Sequence, residues 1–350
     1  FKSRVMTNVL PDPVELPRSE GGALLSALSW RAPNLPPASG KSLLDRQLRR
    51  LADLALPNAI ELEARHAAAC RVAGLVHRAL GSSANTMLFG SSSTDLLLPE
   101  SDLDMTVNLP GIVSPLTPLS LIDERAWREL GRDANIEFVR GARTPIVTFV
   151  ETGSGLSADI SVNAQSGVMT SGHARMALEE IPEARPLLLA LKIALSQVRL
   201  NKARFGGVGS FLLIVMVAAA LRNMRREGAD LGSLLLGVLD TYCFQLRLDL
   251  IDAASGREVG GAAWAWHSVR QELLKWRNSL ISRGCLSALV HGWPAGGLLE
   301  TYDGLRVLCK WDVLSAPLDM SAVRREHRAS LGHDASRHPR SRSRSRSRSR

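Results

Sequence analysis

Aromatic side chains are scarce in this sequence: two Tyr, seven Phe and seven Trp make up 5% of its 350 residues. That leaves little for an aromatic-rich platform of the kind that stacks exposed bases. Cysteine is scarcer still. Cys70, Cys243, Cys285 and Cys309 lie far apart, with no Cys-x-x-Cys pair and no His at zinc-ligand spacing. This spacing argues against a disulfide scaffold and against a zinc site, and the four read as scattered core thiols of a reducing compartment. The longest uninterrupted apolar run, Phe211 to Leu221, falls well short of the about 20 residues that a membrane-crossing helix needs, so a soluble chain with no membrane partner is expected. An excess of one charge is missing from most of the chain as well. The net charge is +9, but the last ten residues are Ser-Arg five times over, and Arg337 and Arg340 lie just before them; without these seven arginines residues 1–336 carry +2. The folded body is close to neutral, and the basicity that invites an anionic partner is concentrated in the tail. The sequence opens on Phe1 rather than Met, so a targeting signal is not legible from it.

What is present is a globular composition, 45% hydrophobic and 22% charged, with length for roughly two domains. Residues 1–40 carry several prolines and a Gly-Gly pair without sustained periodicity and read as a linker, with one short helix around Ala23 to Trp30. Aliphatic residues recur at helical spacing from Ser42 to Leu56 and from Ala59 to Leu80, two amphipathic helices parted by Pro57. Short β-rich runs follow: Thr86 to Phe89, Leu103 to Asn108, Ile146 to Val150 and Leu156 to Val162, with a helical stretch near Leu121 to Leu130. From Gly167 to about Leu314 the pattern is almost entirely helical, and Trp127, Trp264, Trp266 and Trp276 sit among helical apolar residues. The fold class expected is α+β: residues 59–165 form an α/β catalytic region, residues 166–325 a helical domain that the helix within 41–58 also joins, and residues 326–350 a Ser-Arg tail with too little apolar surface to offset its chain entropy.

The stretch that carries chemistry is Phe89-Gly90-Ser91-Ser92-Ser93-Thr94-Asp95-Leu96-Leu97-Leu98-Pro99-Glu100-Ser101-Asp102-Leu103-Asp104. If Leu103 to Asn108 is a strand, Asp102 and Asp104 project from one face, because strand side chains alternate with period two. Carboxylates that close repel one another unless a cation sits between them. Oxygen-only ligands suit Mg²⁺, and a pair of such ions can activate an attacking oxygen and stabilise a leaving phosphate. Two-metal sites usually take a third carboxylate, and Asp159, flanked by apolar residues in Leu156-Ser157-Ala158-Asp159-Ile160-Ser161-Val162, is the candidate. Gly90-Ser91, after a short strand and before a helix start, brings backbone N–H groups and a hydroxyl within reach of a phosphate. Each feature alone is commonly a turn or a solvated strand end. Together, with an Asp inside an apolar strand that needs a reason to be there, they point to phosphoryl or nucleotidyl transfer.

These strings, with Thr144-Pro145-Ile146-Val147-Thr148-Phe149-Val150, resemble the DNA polymerase beta-like nucleotidyltransferases. Within that superfamily they resemble the RNA-tailing branch: most the topoisomerase-related (TRAMP-type) poly(A) polymerases of nuclear RNA surveillance, then the terminal uridylyltransferases. The similarity runs from about Ala59 to Tyr242, roughly half the chain. It implies a nucleotidyltransferase palm joined to an α-helical central domain, with the nucleotide in the cleft between them. It implies that Asp102, Asp104 and Asp159 hold two Mg²⁺ (or Mn²⁺) ions, with Asp159 on the side of the RNA 3′-hydroxyl, and that Gly90 and Ser91 hold the triphosphate. Lys192 falls where the family has a triphosphate-binding Lys, Ser210 where it has a phosphate-contacting Ser, and Tyr242 where it has a Tyr stacked on the base. Lys192 also sits on the shoulder of the stripe formed by Leu188, Leu191, Leu195 and Val198, which suits a snorkelling Lys equally well. The plainer readings are a helix cap for Ser210, compatible with a phosphate contact, and a core residue for Tyr242, which shares a helix face with Leu235 and Val238.

The chain also departs from the pattern. Ser196 stands where relatives often carry Lys or His, and Leu289 to Gly297, with His291, is only a loose counterpart of the family's nucleotide-recognition loop. The resemblance implies template-independent extension of an RNA 3′ end with ATP as the favoured donor, RNA binding borrowed from a zinc-knuckle protein and a helicase, and action in the nucleus, with the cytoplasm as the other compartment. Uridylyl transfer, and an inactive RNA-processing scaffold that recruits through its tail, are the alternatives. If the tail contacts RNA through its five arginines, deleting residues 341–350 should make the slope of log K against log salt shallower by up to about 3.5, since each single-strand phosphate contact contributes about 0.7; an unchanged slope in a filter-binding titration removes the tail from RNA binding.

Overall fold

A computed structural model of the chain describes Val14, Glu15 and residues 42–310 apart from positions 58, 95, 225–227, 254, 256, 260, 262 and 264. The helix expected around Ala23 to Trp30 and the Ser-Arg tail lie outside the described residues. The elements in chain order are β1 (Val14–Glu15), α1 (Leu43–Leu54), α2 (Ala59–Leu80), β2 (Asn85–Leu88), β3 (Leu103–Asn108), α3 (Leu116–Leu130), β4 (Glu137–Val139), β5 (Ile146–Val150), β6 (Ser157–Val162), α4 (Gln165–Glu180), α5 (Ala184–Gln197), α6 (Ser210–Arg222), α7 (Leu231–Cys243), α8 (Trp266–Arg283) and α9 (Tyr302–Lys310). Among the described residues no helix is long and apolar enough to cross a membrane. Cys243 and Cys285 are buried, Cys70 and Cys309 partly so, and all four are free thiols.

The strands form one mixed sheet in the order β1-β2-β3-β6-β5-β4, with β3 and β6 parallel and every other pair antiparallel. Two of its strands were not read from the sequence. β4 is three residues long, too short for period-two alternation to register, and β1 is a two-residue edge strand inside the segment read as a linker with one short helix further on. One face of the sheet is apolar: Leu103, Met105 and Val107 from β3, Ala158, Ile160 and Val162 from β6, and Val147 and Phe149 from β5 pack with α2 and α3 into a closed core. The opposite face of the same strands carries Asp104, Thr148 and Asp159. Period-two alternation thus separates what holds the sheet down from what faces the cleft.

A second core gathers α1 and α4 to α9. Helices α5 and α6 are apolar nearly all round and are buried on most sides, as such helices must be. Helix α1 is capped by Ser42, whose hydroxyl accepts from the Asp45 amide at 3.0 Å, and it buries Leu44, Leu48, Leu51 and Ala52 in this second core. Asp45 accepts from the Leu231 amide at 2.9 Å, and Arg185 of α5 donates to the Ala52 carbonyl at 2.8 Å, so buried charges on both sides lock α1 to α7 and α5.

The turn after β5 is held by charge. Arg71 of α2 donates to both carboxylate oxygens of Glu151, at 2.8 and 2.7 Å, and Glu151 also accepts from the Gly153 and Ser154 amides and the Ser154 hydroxyl. The Arg71 bonds, then those from Ser154 and Gly153, outweigh burial and hold the Glu151 carboxyl down to about 2. A carboxylate depressed in the folded state adds stability that is fully present above its unfolded value of about 4.3 and is lost as pH falls through its folded value. Glu151→Gln is therefore expected to lower the unfolding free energy at pH 7 by about 1–2 kcal/mol, the size of a charge-assisted bond with a half-exposed arginine. The gap to wild type should shrink steadily between pH 4.5 and pH 2, as read by urea titration at stepped pH. A gap constant over that range would rule the pairing out.

Candidate active site

Parallel pairing of β3 with β6 sets Asp104 directly opposite Asp159, and Asp102, two residues ahead of Asp104, reaches the same side from just before the strand. Asp159 is also opposite Thr148 on β5, and Thr148 opposite Glu137 on β4, so one polar row crosses four strands. This row and the helical layer enclose a cleft of about 830 Å³ whose walls include Ser91, Asp102, Asp104, Asp159, Lys192 and Ser210. Two layers supply the site: carboxylates from the sheet, a cation and hydroxyl from α5 and α6.

The carboxylates strain against one another. Burial, then the charge of Asp159 and then that of Asp102, push Asp104 up to about 7, with the charge of Lys192 and the Ser91 amide opposing. Asp102 is raised by burial and by Asp159, and eased by Lys202, Arg65 and Lys192. Among the described residues no three His, Cys, Asp or Glu already close to metal-holding distance, in keeping with carboxylates that repel. The donor set nevertheless fits a hard divalent cation: every donor is a carboxylate oxygen, and the field at Asp104 favours added positive charge.

Gly90 serves a purpose other than the one its motif suggests. Its φ is +66°, and a Cβ there would come within 2.0 Å of Asp104 Oδ2. Its amide donates to Ser171 Oγ of α4 at 2.8 Å, and the Ser91 amide donates to Asp104, so neither N–H is open to a phosphate. The glycine lets the turn pass beside Asp104. Ser171 in turn donates to the Gly167 carbonyl at 2.9 Å, and Gly167 lies where a Cβ would strike the Phe89 ring at 2.7 Å. What remains at the turn for an anion is the cleft-lining Ser91 side chain.

Lys192 lines the cleft and donates to the Leu96 carbonyl at 2.7 Å; burial lowers it to about 8 against the pull of Asp104, so it remains largely charged at neutral pH. Ser210 is the first residue of α6 and is exposed to the cleft, while Gly209 occupies the N-cap. Ser210 is thus not the cap, and it stands among the unpaired N–H groups of a helix start.

Tyr242 does not reach the cleft. It is 2% exposed, donates to the Met216 carbonyl at 2.7 Å, meets Trp266 edge-on at 6.5 Å, and burial lifts its hydroxyl to about 12. The base-stacking expectation for Tyr242 is corrected accordingly: the aromatic residues lining the cleft are Phe89, packed against Gly167, Phe149, which is buried in the sheet core, and Phe211, one residue after Ser210 on the helical side. The sequence signal for Phe211 was its position directly behind a cleft-facing serine at a helix start. The stretch Leu289 to Gly297 does not line the cleft either. Trp293 is buried, and Gln197 and Gln47 tie down the main chain of His291, Pro294 and Gly297. Ser196, the family departure, does lie on the cleft wall, as do Thr148 and Asn201, which sequence reasoning passed over.

Residues 44–173 match the family model for the central palm domain of mitochondrial-like poly(A) RNA polymerases. Poly(A) RNA polymerase protein 2 of Saccharomyces cerevisiae is 35% identical over 213 residues, covering 58% of this chain and 36% of that protein. Poly(A) RNA polymerase gld-4 of Caenorhabditis elegans is 34% identical over 182 residues, covering 49% and 21%. The chain thus spans little more than a third of the one relative and about a fifth of the other. A relative in Drosophila melanogaster, 31% identical over 187 residues and covering 49% of this chain and 46% of that protein, is named an inactive non-canonical poly(A) RNA polymerase protein. Among solved structures, the polymerase core of TRAMP, an RNA surveillance complex, superposes with a TM-score of 0.61 at 21% identity, over 78% of this chain and 97% of that one. A mutant of the Cid1 poly (U) polymerase bound to MgATP gives 0.55 at 17% identity, over 68% and 94%.

The Gly90 geometry yields a direct test. Gly90→Ala places a methyl group where the Asp104 carboxylate lies and a Cβ at φ +66°, a strain of about 1–2 kcal/mol. The variant should unfold at lower urea and bind Mn²⁺ at least tenfold more weakly by calorimetry. Wild-type Mn²⁺ affinity would show that Asp104 needs no such close approach.

Proposed function

We propose that this chain, whose residues 44–173 match the palm of poly(A) RNA polymerases and whose fold superposes on a TRAMP polymerase core, is a nucleotidyltransferase of the non-canonical poly(A) polymerase branch that extends RNA 3′ ends without a template, taking ATP as donor and releasing pyrophosphate. The observation that carries the reading is the Asp104–Asp159 register on β3 and β6, with Asp102 beside it, facing Lys192 and Ser210 across one cleft. Asp102, Asp104 and Asp159 are the residues to hold two divalent cations, Mg²⁺ or Mn²⁺. When bound, these supply an activated attacking oxygen and neutralise charge on the leaving phosphate. The 3′-oxygen of RNA forms a bond to the α-phosphorus, the bond to the β-phosphate oxygen breaks, and the hydroxyl proton passes towards Asp159, the carboxylate on the acceptor side. Lys192, charged at neutral pH, and the Ser91 and Ser210 hydroxyls grip the triphosphate. Phe211 offers its ring to the base.

A zinc-knuckle RNA-binding protein and a helicase are the partners this reading implies, by likeness to the TRAMP core, and that likeness together with the Ser-Arg composition supports action in the nucleus. Uridylyl transfer is the second reading, since the overall fold is shared with a poly (U) polymerase. An inactive scaffold is disfavoured by three carboxylates kept at one cleft against their own repulsion.

The deciding measurement is extension of a labelled RNA primer with each nucleoside triphosphate in turn, with Mg²⁺ or Mn²⁺. Laddering with ATP alone is expected; laddering with UTP replaces the donor assignment, and no extension with any donor favours the scaffold. Phe211→Ala should raise KM for ATP about tenfold, in line with one lost base-stacking contact. Tyr242→Phe should leave KM unchanged and cost about 1 kcal/mol of unfolding free energy, one buried hydrogen bond. The reverse pattern would restore Tyr242 as the stacking ring.

A further inference from the structure

Arg65, on α2, lies outside every motif discussed above, yet its buried guanidinium is committed to the segment that leads into Asp102. Its Nη1 donates to the Ser101 carbonyl at 2.9 Å, and Nη2 donates to the carbonyls of Leu98 at 3.1 Å and Pro99 at 2.7 Å. Nε is taken by Glu61 at 3.0 Å, which also accepts from the Tyr302 hydroxyl of α9. The segment is already a closed turn, with the Ser101 amide on the Leu98 carbonyl and the Leu98 amide on Ser101 Oγ, both at 2.9 Å. A turn so closed gains little stability from a buried cation, which is costly to desolvate. What the cation adds is orientation. The Ser101 carbonyl belongs to the peptide that joins Ser101 to Asp102, so the planar fork fixes the peptide plane from which the Asp102 backbone departs.

We propose that Arg65 is a positioning residue for Asp102: by clamping the Leu98, Pro99 and Ser101 carbonyls of one turn it holds the Ser101–Asp102 peptide so that the Asp102 carboxylate stays beside Asp104 and Asp159. The proposal rests on the reading that these carboxylates hold divalent cations. A lysine keeps the charge at this position but not the fork, and cannot engage the three carbonyls in one plane.

The test uses the full chain with Arg65→Lys and Arg65→Gln, and Mn²⁺ alone as the binding probe, titrated by electron paramagnetic resonance. Arg65→Lys is expected to unfold at a urea midpoint close to wild type, to bind Mn²⁺ about tenfold more weakly, and to extend RNA with kcat down about a hundredfold, the effect of a misplaced reacting group of roughly 1 Å. KM for ATP should stay within twofold, because Ser91, Lys192 and Ser210 are untouched. Arg65→Gln should show the same losses. A folded variant with wild-type Mn²⁺ affinity and kcat overturns the proposal. So does failure of both variants to fold, which would assign Arg65 to stability. Mn²⁺ binding is read separately from extension: a wild type that binds Mn²⁺ but extends no RNA ends the polymerase reading, while the Arg65 comparison still decides the clamp.

Discussion

Everything at this site depends on keeping three like charges close together where water is scarce. The sheet does it by register. Parallel strands β3 and β6 place Asp104 and Asp159 at the same level, and the apolar residues that alternate with them, Leu103, Met105, Ala158 and Ile160, are packed with α2 and α3. Repulsion that would open a loop cannot open this pair without shearing two strands out of a closed core. The cost appears as a carboxyl at Asp104 raised to about 7. A protein that keeps such a group on a cleft wall is poised to gain whenever positive charge enters.

Cations from both layers lessen that cost without removing it. Lys192 opposes the rise at both Asp102 and Asp104, and Lys202 and Arg65 oppose it at Asp102. None of the three forms a direct ion pair with the carboxylates among the described contacts: Lys192 is on the Leu96 carbonyl, and Arg65 on Glu61 and main-chain carbonyls. Cations held one step back steady the carboxylates while leaving their oxygens open to the cleft. A direct salt bridge would have quenched the acidic donor set that metal ligation needs.

Much of this was legible in the sequence because it is local or periodic. The strand around Asp104 and the apolar strand around Asp159 announce themselves through alternation, and the helical character of the region that holds α5 and α6 through its long apolar faces. What was misread depends on contacts distant in the chain. Gly90 reads as a phosphate turn, but what requires a glycine there is the carboxylate of Asp104. Tyr242 shares a helix face with Leu235 and Val238, and a face alone cannot tell a core from a cleft wall; its hydroxyl is satisfied by Met216 on α6. Arg65 looks like any polar residue of an amphipathic helix until its carbonyl partners, some 33 to 36 residues onward, are in place.

The segment from Leu96 to Asp102 is held from both layers at once. Lys192 of α5 grips its start at the Leu96 carbonyl, and Arg65 of α2 grips its end at Ser101. Leu96 and Leu98 are also buried in the helical core, whereas Leu103, one residue beyond Asp102, is buried in the sheet core. Asp102 therefore sits at the seam between two packed bodies and inherits the relative position of both. Asp104 and Asp159 are fixed within the sheet alone. Any shift of the helical layer over the sheet must alter the place of Asp102 against its two partners, while leaving those two unmoved. Lys192, which lines the cleft and holds the Leu96 carbonyl, thereby ties the helical wall of the cleft to the chain that carries the third acid.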